Sequence, residues 1–316
     1  MQILKKIIRS FILKIGGEDY LEKKLLLIGK IASKNNSKLK KINDLSDVEF
    51  SVFSQWGDDG IINWLTDNLP KIPKNFLEIG TQDYKESNTR FLTMSKNWSG
   101  YIIDSSNQDI EKIKKQNIYW KHNLKAFNFF ITKENINNIL KKIKIPKEIG
   151  LLSLDIDGND YWVWEKIKKI SPAIFVCEYN AVFGDLNNIS TPYNKNFNRT
   201  KYHHSNLAFG ASLPAFIKIS QKKNYKFIGT NSNGVNAYFI KKKYFKIIDK
   251  KIKNKIGFVS LLRESKNQKG EKNYISNEKR IKKIENVKVQ DFKRNKIIKI
   301  KNIKKYYSSK WKEKFL

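Results

Sequence analysis

The densest set of chemically capable side chains lies in LLSLDIDGNDYWVW (151–164), where Asp155, Asp157, Asn159 and Asp160 crowd six positions directly after a strongly apolar run. Gly158 permits a tight turn among them. Carboxylates this close repel one another unless they share a proton, a cation or a cationic ligand. The run is therefore open to three readings: a site for a positively charged ligand and its co-substrate, a divalent-metal site using Asp155 and Asp157, or a helix cap closed by Asn159 or Asp160. A D-x-D-G-N run also resembles part of a calcium loop. Counting from Asp155, however, position twelve is Lys166 where a bidentate Glu is needed, so the EF-hand reading fails.

Two further blocks can bind a ligand. FLEIGTQDYKESNTRFL (76–92) places Glu78 and Gly80 at the end of an apolar run, then Asp83, with a helix expected from about Lys85. Glycine in such a turn lets the backbone approach a ligand, and the helix N-terminus offers free N–H groups. Gln82 and Tyr84 stand where a glycine-rich turn would carry further glycines, so this loop must be built differently. YIIDSS (101–106) supplies Asp104, 24 residues beyond Gly80, against about 20 in dinucleotide-binding units. A carboxylate there accepts hydrogen bonds from both hydroxyls of a ribose, or simply caps the next helix.

These residues need a scaffold that brings them together. NFLEIG (75–80), YIIDSS (101–106), a weak IYW (118–120), LLSLDID (151–157) and IFVCEYN (174–180) read as strands, separated by helical patterns at roughly 85–97, 107–116, 133–143 and 160–170. In the last of these, Tyr161, Trp164, Ile167 and Ile170 fall on one face. After a polar, Asn- and Tyr-rich loop (181–206) carrying His203 and His204 come a helix at about 210–223 and a hairpin, KFIGT (226–230) and NAYFIK (236–241). The expectation is an α/β chain with a mostly parallel, seven-stranded Rossmann-like sheet ending in an antiparallel hairpin, with helices on both faces. Its strand ends carry Glu78, Asp104, Asp155, Asp157, Glu178 and Asn180, and ligands of open α/β sheets bind at that edge. SQWGDDGIINWL (54–65) reads as a preceding helix, with Gln55 or Asp59 near the ligand or the whole segment serving only to pack.

The chain carries 63 Lys+Arg against 30 Asp+Glu, a net charge of +33, and its distribution decides what that means. Residues 46–240 hold 25 basic and 19 acidic residues, whereas 1–45 hold 11 and 4, and 241–316 hold 27 and 7. The divisions expected are thus a basic helical extension (1–45), a Rossmann domain (46–241) and a Lys-rich extension (242–316) without an independent core. Nothing in the basic flanks resembles a sequence-specific nucleic-acid module. The start, MQILKKIIRSFILKIGG, reads as an amphipathic helix through Leu4, Ile8, Phe11, Ile12 and Ile15, lying on an anionic membrane surface or docked on the protein itself. Cys177 is alone, which excludes an intrachain disulfide or Cys-pair zinc site and fits a reducing, cytoplasmic setting.

Seven blocks in order, SQWGDDGIINWL (54–65), FLEIGTQDYKESNTRFL (76–92), WSGYIID (98–104), IGLLSLDIDGNDYWVWEKI (149–167), PAIFVCEYN (172–180), FGASLPAF (209–216) and NSNGVNAYFI (231–240), resemble the FkbM-type and related class I methyltransferases that use S-adenosyl-L-methionine (SAM). The resemblance spans about residues 50–240. It implies methyl transfer to a hydroxyl oxygen of a sugar, glycan or polyketide-like small molecule. By position, Glu78, Gly80, Asp83 and Asp155 line the cofactor, Asp104 holds its ribose, and Glu178 faces the acceptor, with Asn159, Asn180 and His204 as acceptor contacts. Asp157 stands where the family more usually has Glu. A hydroxyl acceptor must lose a proton, and the candidates in order are Asp157, Glu178 and His203 or His204. Mg²⁺ held by Asp155 and Asp157 is a less favoured route. The alternative is a non-catalytic Rossmann-like binding protein that uses its basic flanks on anionic membrane or nucleic acid.

Overall fold

The computed structural model of the chain describes residues 17–69, 71–260, 265–276 and 278–315. The amphipathic helix expected around Leu4 to Ile15 lies outside them. Apolar segments pair as β1 (Asn75–Ile79), β2 (Ser99–Asp104), β3 (Leu124–Asn128), β4 (Glu148–Leu154) and β5 (Ser171–Glu178), followed by a separate short β6 (Ile189–Ser190) and then β7 (Tyr225–Thr230) and β8 (Asn236–Lys241). The main sheet has seven strands in the order β3-β2-β1-β4-β5-β8-β7. β1 to β5 are parallel, and β8 is antiparallel to both β5 and β7. This is the Rossmann-like architecture of class I methyltransferases. The strand order reverses between β1 and β4, and that switch point opens a crevice at the carboxyl edge.

Alternate side chains of each central strand enter opposite cores. Leu77, Leu152, Phe175 and Cys177 face one helical layer, where Trp164 packs; Phe76, Leu151, Ile174 and Val176 face the other, with Trp64 and Leu65. Burial on both faces explains why these strands read as continuous apolar runs. Trp164 is central to the first layer, with its ring stacked 3.8 Å from Phe175 and its Nε1 donating to Ser220 Oγ at 3.0 Å.

Two sequence expectations change. IYW (118–120) belongs to a short helix, Asn117–Lys121, with Trp120 73% exposed. The third strand is Leu124–Asn128, which pairs Leu124 with Gly100 and Ala126 with Ile102. Only Leu124 and Ala126 of that strand are buried, too little apolar periodicity to announce it; β2 sets its register. The helix expected from residue 85 begins only at Arg90 (Arg90–Lys96), because Gln82 and Tyr84 adopt φ of +49° and +63° and the chain loops through 81–89.

The chain beyond 241 packs onto the sheet domain. β9 (Lys288–Asp291) joins β6 and β10 (Lys296–Lys299) in a second, three-stranded antiparallel sheet. Val289, Ile298, Ile300, Tyr307 and Trp311 complete the core that holds Trp164, and Tyr307 donates to the Val182 carbonyl at 2.7 Å. The lysines of this segment alternate outward from those apolar positions, so its charge is surface on a buried frame. Replacing Trp164 with Ala removes a stacked ring and orphans Ser220; a loss of about 3–5 kcal/mol is expected, read as a lower midpoint in urea unfolding.

Candidate active site

The close approach of β1 and β4 creates the site. Gly80 has φ +83°, and a Cβ there would lie 1.6 Å from the Asp155 carbonyl oxygen, so the turn after β1 admits only glycine. Asp155 N donates back to Ile79 O at 3.0 Å, and Gly80 N to Ile103 O at 2.9 Å. Three strand ends are thereby held level. They open into a cleft of about 630 Å³, lined on one side by Gly80, Asp104 and Phe130 and on the other by Trp56, Glu178 and Arg199.

The first wall is braced by its own acids. Asp104 Oδ2 accepts from Thr81 N at 3.0 Å and Gln82 N at 2.9 Å, and Oδ1 accepts from Ser106 N at 2.8 Å. Of roughly four acceptor positions on a carboxylate, one remains. The expectation that Asp104 receives both ribose hydroxyls is corrected to one at most, since the loop amides occupy the rest. Glu78 is buried and accepts from Ser87 Oγ at 2.7 Å, Asn88 N at 3.0 Å and Thr89 Oγ1, so it fastens the 81–89 loop. Burial raises its pKa. Asp83 is outside the cleft lining: its Oδ1 accepts from Lys85 N at 3.1 Å in a local turn, which corrects its placement beside the cofactor. Tyr84 is also outside, fully buried, with its hydroxyl 3.0 Å from Thr89 Oγ1 and 3.2 Å from Thr93 Oγ1. The residue standing in place of glycine turns into the core and leaves the cleft open.

The second wall gathers charge. Oxygens of Asp155, Asp157 and Glu178 lie within 4.8 Å of one another, a set that also has the donors for a divalent ion. Arg199 Nη1 stands 3.2 Å from Asp157 Oδ1 and 3.9 Å from Glu178 Oε1. Its Nε donates to Asn206 O at 2.6 Å and its guanidinium lies 3.6 Å from the centre of the Phe209 ring. Desolvation, with Asp160 and Asp157 adding repulsion, pushes the Asp155 carboxyl up to about 8. Desolvation and Asp155 likewise push Glu178 well above the ordinary range, against the pull of Arg199. Glu178 Oε2 is buried without a hydrogen-bond partner. Asp157, first in order as proton acceptor, is the exposed member, its side chain 70% accessible and held to Arg199. Asp160 caps the turn, accepting from Ile156 N at 2.8 Å and Gly158 N at 2.9 Å, with its carboxyl raised by burial to about 6.

The remaining expected contacts divide. Asn159 lines the cleft; its Nδ2 donates to Asn194 O at 2.9 Å while its Oδ1 is buried without a partner. Asn180 also lines it, but its Nδ2 donates to Leu207 O and Phe209 O, both at 2.9 Å, and its Oδ1 accepts from Val182 N at 2.9 Å, which corrects it from an acceptor contact to a loop anchor. His203 and His204 are outside the lining. His203 Nδ1 pairs with Ser205 Oγ at 2.7 Å and the two ring centres lie 4.3 Å apart, so the pair is engaged away from the cleft lining.

Sequence reasoning missed Arg199, Phe130, Phe197 and Phe209. One signal for Arg199 was present: the chain has 6 Arg among 63 basic residues, so an arginine amid lysines marks a place where a planar fork is needed. Gln55 and Trp56 reach the cleft because Asp59 holds their loop, accepting from Val52 N, Phe53 N and Ser54 N at 2.6–2.9 Å.

No family model matches this chain, and no curated protein does. Among solved structures it is similar to a SAM-dependent methyltransferase from Aquifex aeolicus (12% identity, 65% of this chain and 98% of that one, TM-score 0.34). It is also similar to an O-methyltransferase from Bacillus cereus in complex with SAH (10%, 70% and 89%, TM-score 0.39) and to TehB from Haemophilus influenzae (10%, 53% and 57%, TM-score 0.33). At these identities the likeness concerns the chain path alone, and the fold assignment rests on the strand order itself.

The raised carboxyls make stability depend on pH with a defined sign. Asp155 at about 8, Asp59 at about 7 and Asp160 at about 6 all retain protons that the unfolded chain releases near pH 4. Between those limits the folded state binds more protons, so these three groups make stability fall as pH rises from 4 to 8. Urea midpoints at pH 5 and pH 8.5 should show this decline, and Asp155→Asn should reduce it by stabilising the protein at pH 8.5.

Proposed function

We propose that the protein is a SAM-dependent methyltransferase acting on a hydroxyl oxygen of a sugar, glycan or similar polyhydroxylated acceptor. The observation that carries the reading is the cleft at the strand switch point, entered by the Gly80 turn and lined by residues that carry four buried polar atoms without hydrogen-bond partners: Glu178 Oε2, Asn159 Oδ1, Asn236 Oδ1 and Trp56 Nε1. Three are acceptors and one is a donor. Buried polar groups cost about 1–3 kcal/mol each when unsatisfied, and a ligand rich in hydroxyls supplies the matching donors. Trp56, Phe197 and Phe209 add apolar faces for a sugar ring.

The residues present also fit the cofactor. The Gly80 cradle admits close backbone approach, the free position on Asp104 Oδ1 suits a ribose hydroxyl, and Phe130, half-exposed at the rim, offers a face for the adenine. The carboxyl oxygens of the second wall complement a sulfonium. When bound, the cofactor supplies the methyl group together with its own leaving group. The protein's task is then alignment and proton removal. Glu178, whose proton affinity is raised by burial and by Asp155, accepts the proton of the acceptor hydroxyl in its ionised form. Arg199 holds Asp157 and steadies the charge that remains on Glu178. Because the guanidinium brings a positive charge to this cluster, the reading needs no divalent ion. The rival reading, a binding protein without cofactor, drew on Tyr84, and Tyr84 packs away from the cleft.

Calorimetry with S-adenosylhomocysteine tests the reading: saturable binding is expected with or without EDTA, and no heat at about 1 mM ligand, an affinity weaker than about −4 kcal/mol, overturns it. Phe130→Ala should weaken that binding by roughly tenfold or more, since stacking on a base contributes about 1–3 kcal/mol. Glu178→Gln should leave cofactor affinity within threefold and lower methyl transfer to a responsive sugar acceptor by about 10²–10⁴-fold, the usual worth of a general base.

A further inference from the structure

The helix Glu18–Asn36 shows two unlike faces. Inward, Glu22 pairs with Arg90, Gly29 lies against Phe91 and Val52, Ser33 Oγ accepts from Asn63 Nδ2 at 2.7 Å, and Asn36 Nδ2 donates to Val48 O at 2.8 Å. Outward, Tyr20, Leu21, Leu27, Ile28 and Ile31 are 51–62% exposed. At 100° per residue these five fall within an arc of roughly a third of the helix. They form one continuous apolar stripe that nothing among the described residues covers.

The charges beside the stripe identify what suits it. Lys24 lies within the same arc, with its Nζ 4.3 Å from the centre of the Tyr20 ring, and Lys23, Lys30 and Lys34 run along one border. Glu22 falls outside that arc, on the inward face, where it pairs with Arg90. Lys38, Lys40 and Lys41 follow, all exposed. Upstream, residues 1–16 contribute Lys5, Lys6, Arg9 and Lys14 and no acid. A second copy would set lysines against lysines, and the upstream segment would add four more positive charges to an already positive border. Neither occupant has complementary charge. An anionic bilayer does, and it also receives the apolar stripe below its headgroups. No helix of the described residues is long and apolar enough to cross a membrane, so the contact lies in the plane of the surface.

We infer that the outward face of Glu18–Asn36 is a membrane-docking surface for anionic lipid. Long lysine side chains lay their stems along the apolar stripe and place their ammonium groups at the phosphates. The inference is independent of the chemistry in the cleft, because the face is formed on the far side of the helix from Arg90.

Sedimentation of the full chain with vesicles tests it. Binding to vesicles containing about one third phosphatidylglycerol, weak or absent on pure phosphatidylcholine, is expected, with a decline as salt rises. Leu27→Ser/Ile28→Ser/Ile31→Ser should abolish this binding, and Lys23→Gln/Lys30→Gln should lower it by about tenfold or more, from ~1 kcal/mol per basic residue near an anionic surface. Both sets change exposed positions, and unchanged melting and adenosylhomocysteine binding would show that the fold and cleft persist. Equal binding to both vesicle types overturns the inference, as does binding by the triple variant equal to that of the parent, which would assign the contact to residues 1–16. A lipid-free dimer that dissociates in the triple variant, without vesicle binding by the parent, overturns it in favour of a second copy.

Discussion

The constraint on which the rest of the cleft depends is the contact between the turn after β1 and the end of β4, so close that a single Cβ at Gly80 would overlap the Asp155 carbonyl oxygen. Parallel strands have slanted, evenly spaced hydrogen bonds, and here the ladder extends one step past each strand, from Asp155 N to Ile79 O and from Gly80 N to Ile103 O. That extension holds three backbones level at the edge. Side chains leaving β4 and β5 at this level then meet, which is why Asp155, Asp157 and Glu178 converge although Glu178 is more than twenty residues from the aspartates.

Convergence creates an electrostatic problem that the surroundings only half resolve. Three carboxylates face one guanidinium, and Arg199 reaches just two of them. Burial and mutual repulsion raise the proton affinity of Asp155 and Glu178 at the edge of the sheet. Other buried acids in and around the cleft are handled differently. Glu78, Asp104, Asp59 and Asp160 each receive two or more N–H or O–H donors and serve as fasteners for loops. The same residue type therefore does two jobs, and the number of donors around it separates them. A carboxylate satisfied by backbone amides holds structure; one left with a bare oxygen in the cleft is available to a ligand.

The flanking segments follow the same economy of surface. Beyond residue 241 the apolar positions complete the main core and the lysines remain outside, so the largest charge excess in the chain is a coating on an ordinary packed interface. The N-terminal helix differs, because its inward face is satisfied by Arg90 and neighbours while nothing among the described residues covers its outward apolar stripe. Net charge alone could not distinguish these two flanks; burial does.

The sequence by itself determined the sheet, the hairpin and the acidic edge, because apolar runs buried on both faces, an Asn-Gly turn and acids at strand ends are local signals that survive any packing. It marked Gly80, Asp155, Asp157 and Glu178 as a group for the same reason, since each ends or follows a strand whose direction is implied by the fold. Tertiary structure alone decided which acids are free. Asp104 and Asn180 look identical in sequence to ligand contacts, yet backbone amides and carbonyls from distant loops fill nearly all their bonding capacity. Tyr84, His203 and His204 were likewise displaced by packing, and the third strand moved to Leu124–Asn128 because β2 offered it a register that its own residues do not encode. Arg199 enters the site as the first residue of a four-residue helix, Arg199–Tyr202, too short to show a periodicity, and is held there by its bond to Asn206 and its contact with the Phe209 ring. Hydrogen-bond capacity and loop placement are properties of the assembled chain, and they are what turned a row of acids into a cleft whose carboxyls face the fixed guanidinium of Arg199.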